Sequence, residues 1–131
     1  MAGSQSWSLA QATTAPASAR RLVTDFCARH PSLAETSRHT ALLLVTELVT
    51  NAVRHGHGPI GLSVAVEDDR FRVDVTDKGT GLPNDELAGD VLSEGGRGLV
   101  LIETMATGWG VHPLVSGGKT VWFELGRDSW S

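Results

Sequence analysis

The stretch ELVTNAVRHG, residues 47–56, decides the fold of this chain. It places a carboxylate, Glu47, and a carboxamide, Asn51, four residues apart in an otherwise apolar helical run. Residues at positions i and i+4 lie on one helix face, one turn apart. A glutamate placed there can take a proton, and an asparagine can offer its carbonyl oxygen to a hard cation. Taken alone, the same pattern also fits the solvent-facing polar stripe of an amphipathic helix.

Length and composition indicate one ordinary globular domain. The chain has 131 residues, 40% of them hydrophobic and 20% charged, with a net charge of −4. The negative charge argues against direct nucleic-acid binding, which needs clustered positive charge. No apolar run approaches the roughly 20 residues of a membrane helix, and the N-terminus does not have the pattern of a signal peptide. We therefore expect a cytoplasmic protein with no membrane association.

The hydrophobic periodicity predicts an alternation of helices and strands. Helices are expected at about residues 13–30, 32–54 and 97–106. Strands are expected at about residues 7–11, 60–67, 71–76, 109–114 and 120–125. This order is typical of an α+β layer, in which helices cover one face of a mixed or antiparallel sheet. Residues 1–6 are expected to be disordered, residues 7–126 to form the domain, and residues 127–131 to be a C-terminal tail.

The second helix has the clearest internal pattern. Ser32 and Glu35 have capping-box spacing and predict its start. Gly56 and Gly58 with Pro59 predict its end. Six apolar residues form its expected buried stripe: Leu44, Val45, Leu48, Val49, Ala52 and Val53. Glu47 and Asn51 fall outside that stripe, on a polar arc of the same helix.

Asp77 begins the first of three glycine-rich clusters. It ends a predicted strand just before Gly79 and Gly81. A carboxylate at a strand end, beside residues that let the backbone approach closely, can accept a hydrogen bond from a ring amine. The same residues also fit a plain turn. The following residues, 82–95, lack sustained periodicity and have the character of a lid or binding loop.

The two later clusters offer possible phosphate contacts. Residues 95–98, Gly-Gly-Arg-Gly, open the third predicted helix, where free amides and an arginine suit a phosphate. A flexible connector before an ordinary helix is the alternative. Lys119 and Thr120 follow the glycine turn 117–118 and can likewise contact phosphate. A lysine beside a hairpin turn is, however, commonly just solvated.

In this order and spacing, the clusters resemble the GHKL-type ATPase superfamily, which is shared by histidine kinases, gyrase, the Hsp90 chaperone and the MutL repair protein. More narrowly, the chain is similar to the single-domain bacterial anti-sigma-factor serine kinases over about residues 7–125. Residues 47–56 look like the asparagine box of that subfamily. Residues 75–83 look like its first glycine box, 96–99 like its second, and 118–122 like its last.

The resemblance implies a Bergerat-type fold, a mixed and mostly antiparallel sheet with helices on one face and ATP held beneath a lid. It assigns Asn51 to Mg²⁺ and Glu47 to the role of general base toward an incoming hydroxyl. Asp77 would accept from the adenine amino group. The remaining ATP-binding candidates are Gly79 and Gly81 beside the ring, Gly96, Arg97, Gly98 and Leu99 at the end of the lid, Lys119, and Thr120 at the adenine end.

The resemblance leaves more than one function open. The first is a serine/threonine protein kinase and anti-sigma factor that phosphorylates a STAS-type anti-anti-sigma protein. The alternative is a non-catalytic module that binds ATP and sequesters a sigma factor. A third is an ATP-binding accessory protein with neither partner. The subfamily often forms homodimers through its first strand and helix, so a homodimer is also open.

Two departures from the family pattern matter. The region from about residue 82 to 95 is short and has no basic cluster, so its phosphate contacts would rest on Arg97 and backbone amides. The sequence also shows no helix pair carrying a phosphoacceptor histidine. This counts against a sensor histidine kinase, although not against a fragment of one.

Overall fold

The computed structural model describes residues 2–31, 33, 35–68, 70–79 and 97–126. Within these ranges the order of helices and strands is the predicted one. The helices are α1 (Ala15–Ala28), α2 (Glu35–His55) and α3 (Arg97–Met105). The strands are β1 (Ala2–Leu9), β2 (Ile60–Glu67), β3 (Arg70–Asp77), β4 (Gly108–Pro113) and β5 (Lys119–Leu125). The fold class is α+β, as expected. The predicted lid lies outside the described residues, as does the predicted C-terminal tail.

The five described strands form one sheet in the order β1-β2-β3-β5-β4. All four neighbouring pairs are antiparallel, so the mixed sheet that was among the expectations is not found in the described strands. β4 occupies the edge, and the hairpin at residues 114–118 returns β5 to pair with β3. This insertion brings the start of β5 beside the end of β3.

The N-terminal strand corrects one prediction. Residues 1–6 were expected to be disordered, but β1 begins at Ala2 and pairs with β2 along its whole length, from Ala2 opposite Glu67 to Leu9 opposite Ile60. Ser6 Oγ and Ser63 Oγ form a cross-strand hydrogen bond of 2.8 Å. The cause is nonlocal: β2 offers a free backbone edge, and small polar residues can pair with it although their own sequence gives no periodic signal.

The hydrophobic core lies between the helices and one face of the sheet. Alternate residues of the strands are buried, as in Leu62, Val64 and Val66 of β2. α2 crosses this face and contacts β2, β3 and β5, and α1 packs beside it. Each fully buried large apolar side chain contributes about 1.5–3 kcal/mol. This packing holds α2 over the end of β3.

The predicted stripe of α2 is confirmed at five positions. Leu44, Val45, Leu48, Val49 and Ala52 are buried, and Val53 is only partly buried. The helix begins at Glu35, later than the capping-box spacing predicted, and Ser32 lies outside the described residues.

Cys27 is buried on α1, and desolvation raises the pKa of its thiol, although Arg38 opposes the shift. No helix in the described ranges combines the length and the apolar character that crossing a bilayer requires.

Candidate active site

Asp77 lies where three elements of the fold converge. It is the last residue of β3, it stands opposite Lys119 at the start of β5, and Gly56, the residue after α2, lies against its carboxylate. Only 3% of Asp77 is exposed. A carboxylate so buried is unusual unless it is paired. The partners of Asp77 therefore define what this site can do.

The Asp77 carboxylate has two described partners. The backbone N–H of Gly79 donates to Oδ1 over 2.6 Å, which closes a tight turn after the strand. The Lys119 ammonium lies 3.2 Å from Oδ1 and 3.2 Å from Oδ2. The side chains of Lys119 and Asp77 are 12% and 4% exposed, so the ion pair is largely shielded from water. Removing either partner of such a pair leaves a poorly solvated charge behind.

Three glycines bring their backbones close to Asp77. A Cβ atom on Gly56 would stand 2.7 Å from Asp77 Cγ, and one on Gly79 would stand 2.8 Å from Oδ1. A Cβ on Gly118 would overlap the Asp77 carbonyl oxygen and stand 2.8 Å from the Cα of Lys78. Gly118 also has a φ of +92°, which disfavours other residues. The glycines let three backbone segments close around one carboxylate.

The end of α2 is held in place from the β1–α1 connection. The Gln11 side-chain amide donates to the carbonyl oxygens of Val53 at 3.2 Å and of Gly56 at 2.5 Å. Helix-terminal carbonyls have no partner within the helix, so this amide satisfies them from outside. Nothing in the sequence points to this role of Gln11, because its partners are more than 40 residues away and its surroundings carry no motif. Gly56 was predicted only as a helix stop, yet it also forms part of the wall around Asp77.

Asn51 and Glu47 lie on α2, on the N-terminal side of this helix end. With a rise of 1.5 Å per residue, Asn51 lies about 8 Å and Glu47 about 14 Å along the helix from Gly56. Both side chains are half-buried, and Glu47 has an interaction of its own in the structure. The C-terminal end of α2 therefore lies beside the buried Asp77 carboxylate and its glycines. Toward its N-terminus, α2 then carries the Asn51 carboxamide and, one turn further, the Glu47 carboxylate.

The structure places Lys119 and Thr120 on opposite faces of the sheet. Lys119 shares the helix-covered face with Asp77, whereas the Thr120 hydroxyl lies 2.7 Å from the hydroxyl of Thr76 on the other face. The predicted contacts of Lys119 with phosphate and of Thr120 at the adenine end stay predictions. In the structure, Lys119 contacts the Asp77 carboxylate, and the Thr120 hydroxyl points away from it. Alternation along a strand accounts for both, since adjacent side chains point to opposite faces.

The other predicted residues are only partly described. Arg97, Gly98 and Leu99 form the first turn of α3, as the sequence predicted. Gly81 and Gly96 lie outside the described residues. Among those described, no three His, Cys, Asp or Glu side chains cluster as a metal site would require. Asn51 fits a magnesium ion that keeps most of its waters and leans on substrate phosphates.

Comparisons with known proteins give consistent matches. The family described as the histidine kinase-like ATPase domain matches residues 9–125. The serine-protein kinase RsbW of Staphylococcus epidermidis is 36% identical over 80 residues, 48% of this chain and 50% of that protein, and RsbW of two named strains of this species gives the same match. The alignment thus spans about half the length of these curated relatives. One solved structure also matches, the histidine kinase domain from the Erythrobacter litoralis EL346 blue-light activated histidine kinase. The match covers 68% of this chain and 44% of that chain, with 25% sequence identity and a TM-score of 0.49.

Proposed function

Because the chain belongs to the histidine kinase-like ATPase family, we propose that it binds ATP with Mg²⁺ and transfers the terminal phosphoryl group to a serine or threonine of another protein. The observation that carries this proposal is the order along α2. The buried acceptor for a base, Asp77, lies at the end of β3 beside the C-terminal end of α2, and α2 then carries an oxygen ligand for a cation, Asn51, and a carboxylate that can act as a base, Glu47. An extended nucleoside triphosphate laid along α2 would meet them in that order.

The base end of the proposed site is Asp77. Its carboxylate can accept a hydrogen bond from the exocyclic amine of adenine. The backbones of Gly56 and Gly79 pack directly against this carboxylate and fix its position. Gly81 is a further predicted contact of the ring. The site thus recognises adenine by one charge-assisted hydrogen bond.

The phosphate end lies toward Asn51 and the start of α3. The Asn51 carbonyl oxygen would hold Mg²⁺, which when bound neutralises charge on the phosphates. The first turn of α3, with Gly96 before it and Arg97, Gly98 and Leu99 within it, would direct free backbone amides at the phosphates. Arg97 would add a charged fork for phosphate oxygens.

Glu47 is the proposed general base. It would take the proton of the attacking serine or threonine hydroxyl as the new O–P bond forms. The bond from the terminal phosphorus to the bridging oxygen breaks, and ADP leaves with that oxygen. Phosphoryl transfer depends mainly on positioning and charge neutralisation, so Glu47 needs only to face the acceptor.

The acceptor we propose is a STAS-type anti-anti-sigma protein, with a sigma factor as a second partner that the chain sequesters. Support comes from the motif pattern of the anti-sigma-factor kinases and from the match to a relative named as a serine-protein kinase. That match spans about half of each chain. A cytoplasmic location and a homodimer through β1 and α1 remain predictions.

Transfer of label from γ-labelled ATP to STAS-type proteins tests this function. The wild type should label its acceptor on serine or threonine, and Glu47→Ala should reduce the rate by at least about 100-fold. Glu35→Gln, at the exposed start of the same helix, is the matched control and should label normally. Labelling that survives in Glu47→Ala would remove Glu47 as the base. ATP binding with no labelling of any STAS-type candidate would instead favour the non-catalytic sigma-binding module.

A further inference from the structure

Lys119 is the cation in the described site whose position the proposed function does not explain. Its ammonium lies at the buried base end, 3.2 Å from both oxygens of Asp77. Lysine is rarely buried to this extent without a specific partner. The phosphate end, by contrast, lies about 8 Å or more along α2. The ion pair therefore puts a strong hydrogen-bond donor beside the acceptor that would read the adenine amine.

An ammonium can serve both the carboxylate and a base. Lys119 has three N–H donors, of which the Asp77 carboxylate needs only one or two. In adenine the exocyclic amine is flanked by ring nitrogens that accept hydrogen bonds. A base whose amine donates to Asp77 consequently brings one ring acceptor toward the neighbouring ammonium. The ion pair can remain intact while both partners contact the same base.

We propose that Lys119 is a base-reading residue, which donates a hydrogen bond to the ring nitrogen next to the adenine amine while it stays paired with Asp77. This inference rests on the proposed ATP site and assigns it a second contact with the base. With both contacts, the site recognises the amine donor of adenine and the adjacent ring-nitrogen acceptor together. On β5 the neighbouring hydroxyl of Thr120 cannot replace it, because that hydroxyl lies on the other sheet face.

The direct test compares ATP with 1-deaza-ATP and 7-deaza-ATP, each of which lacks one of the two ring nitrogens beside the amine. Calorimetry in Mg²⁺ on the wild type should show one analogue binding roughly 10- to 100-fold more weakly than ATP, the loss expected for a hydrogen bond from a charged donor. Which analogue is weaker identifies the nitrogen. In Lys119→Met, ATP and that analogue should bind with equal affinity.

Two features keep this test decisive. The ratio of ATP to analogue is taken within each variant, so a general loss of stability on uncovering Asp77 cancels. Lys119→Gln, which keeps an N–H donor beside the carboxylate, should restore part of the ratio and serves if Lys119→Met does not fold. Circular dichroism confirms the folded state of each variant before titration.

Several results would overturn the proposal. Equal wild-type affinities for ATP and both analogues would remove the contact with the base. A ratio that is unchanged in Lys119→Met would assign it to another donor. If Lys119→Met weakens ATP and both analogues equally but leaves adenosine binding unchanged, Lys119 acts on the phosphates instead. A wild type that binds no ATP at all would refute the proposed function itself, and this inference with it.

Discussion

Asp74 and Asp77 lie three residues apart on β3 and meet opposite surroundings. Asp74 is on the open face, where Arg72 donates to both of its oxygens at 2.8 and 3.2 Å. The Arg72 guanidinium also lies 3.8 Å from Glu124 and 4.4 Å from the centre of the Trp122 ring. The hydrogen bond from Arg72 to Asp74 raises the pKa of Arg72, against the opposing effect of burial. This face contains charges that satisfy one another.

Asp77 is on the helix-covered face and is surrounded mainly by backbone. Within the described residues, the backbones of three glycines approach its carboxylate or its carbonyl, and the Lys119 ammonium pairs with it. Asp74 is thus held by neighbouring charged side chains, whereas Asp77 is held by closely packed backbone and one ammonium. The contrast between these two aspartates separates a structural network from a site, and the predictions below test it.

The largest expected effect is the loss of stability in Gly118→Ala. The matched control is Gly117→Ala, because both glycines have positive φ values, +92° and +96°, but nothing lies within 4 Å of a Cβ at Gly117. The control should lose about 1–2 kcal/mol of unfolding free energy from the left-handed conformation alone. Gly118→Ala should lose about 1–3 kcal/mol more, because its methyl group overlaps the backbone of Asp77.

Urea denaturation of the two variants measures this difference. Equal losses in both variants would show that only the turn conformation matters, and that Gly118 does not need to approach Asp77. We also expect Gly118→Ala to bind ATP more weakly than Gly117→Ala does, because Gly118→Ala displaces Asp77, which forms the base end of the proposed site.

The second-largest expected effect concerns Asn51 on α2. Asn51→Ala should abolish the magnesium-dependent part of nucleotide binding, a loss of at least about 10-fold in affinity. Calorimetry with ATP in Mg²⁺ and in EDTA measures it. Thr50→Ala is the control, since the Thr50 hydroxyl donates to the Thr46 carbonyl at 2.6 Å and lies on another side of the helix. A magnesium response that persists in Asn51→Ala would contradict the metal assignment.

The smallest effect belongs to the open face. Thr120→Val removes one partner of the 2.7 Å hydrogen bond with Thr76 and should cost about 1 kcal/mol of unfolding free energy. ATP affinity should stay within about twofold of the wild type, because the hydroxyl does not share a face with Asp77. A tenfold weaker affinity would support the sequence-based expectation that Thr120 serves the adenine end.

The sequence predicted most of this architecture because its signals are local. Periodicity within one element predicts the buried stripe of α2 and the alternation in β2 and β3. Glycines mark the ends of these elements. The length of β1 was underestimated, because its pairing depends on residues far along the chain, from 51 positions later at Leu9 opposite Ile60 to 65 positions later at Ala2 opposite Glu67.

The site was harder to predict in detail than the fold. The motif pattern identified Asp77, but not that Lys119 pairs with it, since this contact requires β5 to insert beside β3 in a particular register. A shift of one residue would have placed Thr120 there instead. Gln11 had no signal at all, because its role is to hold the end of a helix that lies 41 or more residues away.

The affinity of ATP for Asp77→Asn against Asp74→Asn tests the central claim most directly. Both substitutions remove one charge from the same strand. We predict that Asp77→Asn weakens ATP binding roughly 10- to 100-fold by calorimetry, since a charge-assisted hydrogen bond to the base is lost. Asp74→Asn should bind ATP as the wild type does and lose at most about 1 kcal/mol of stability. Normal ATP binding by a folded Asp77→Asn, or equal weakening in both variants, would contradict the assignment of Asp77 to the nucleotide base.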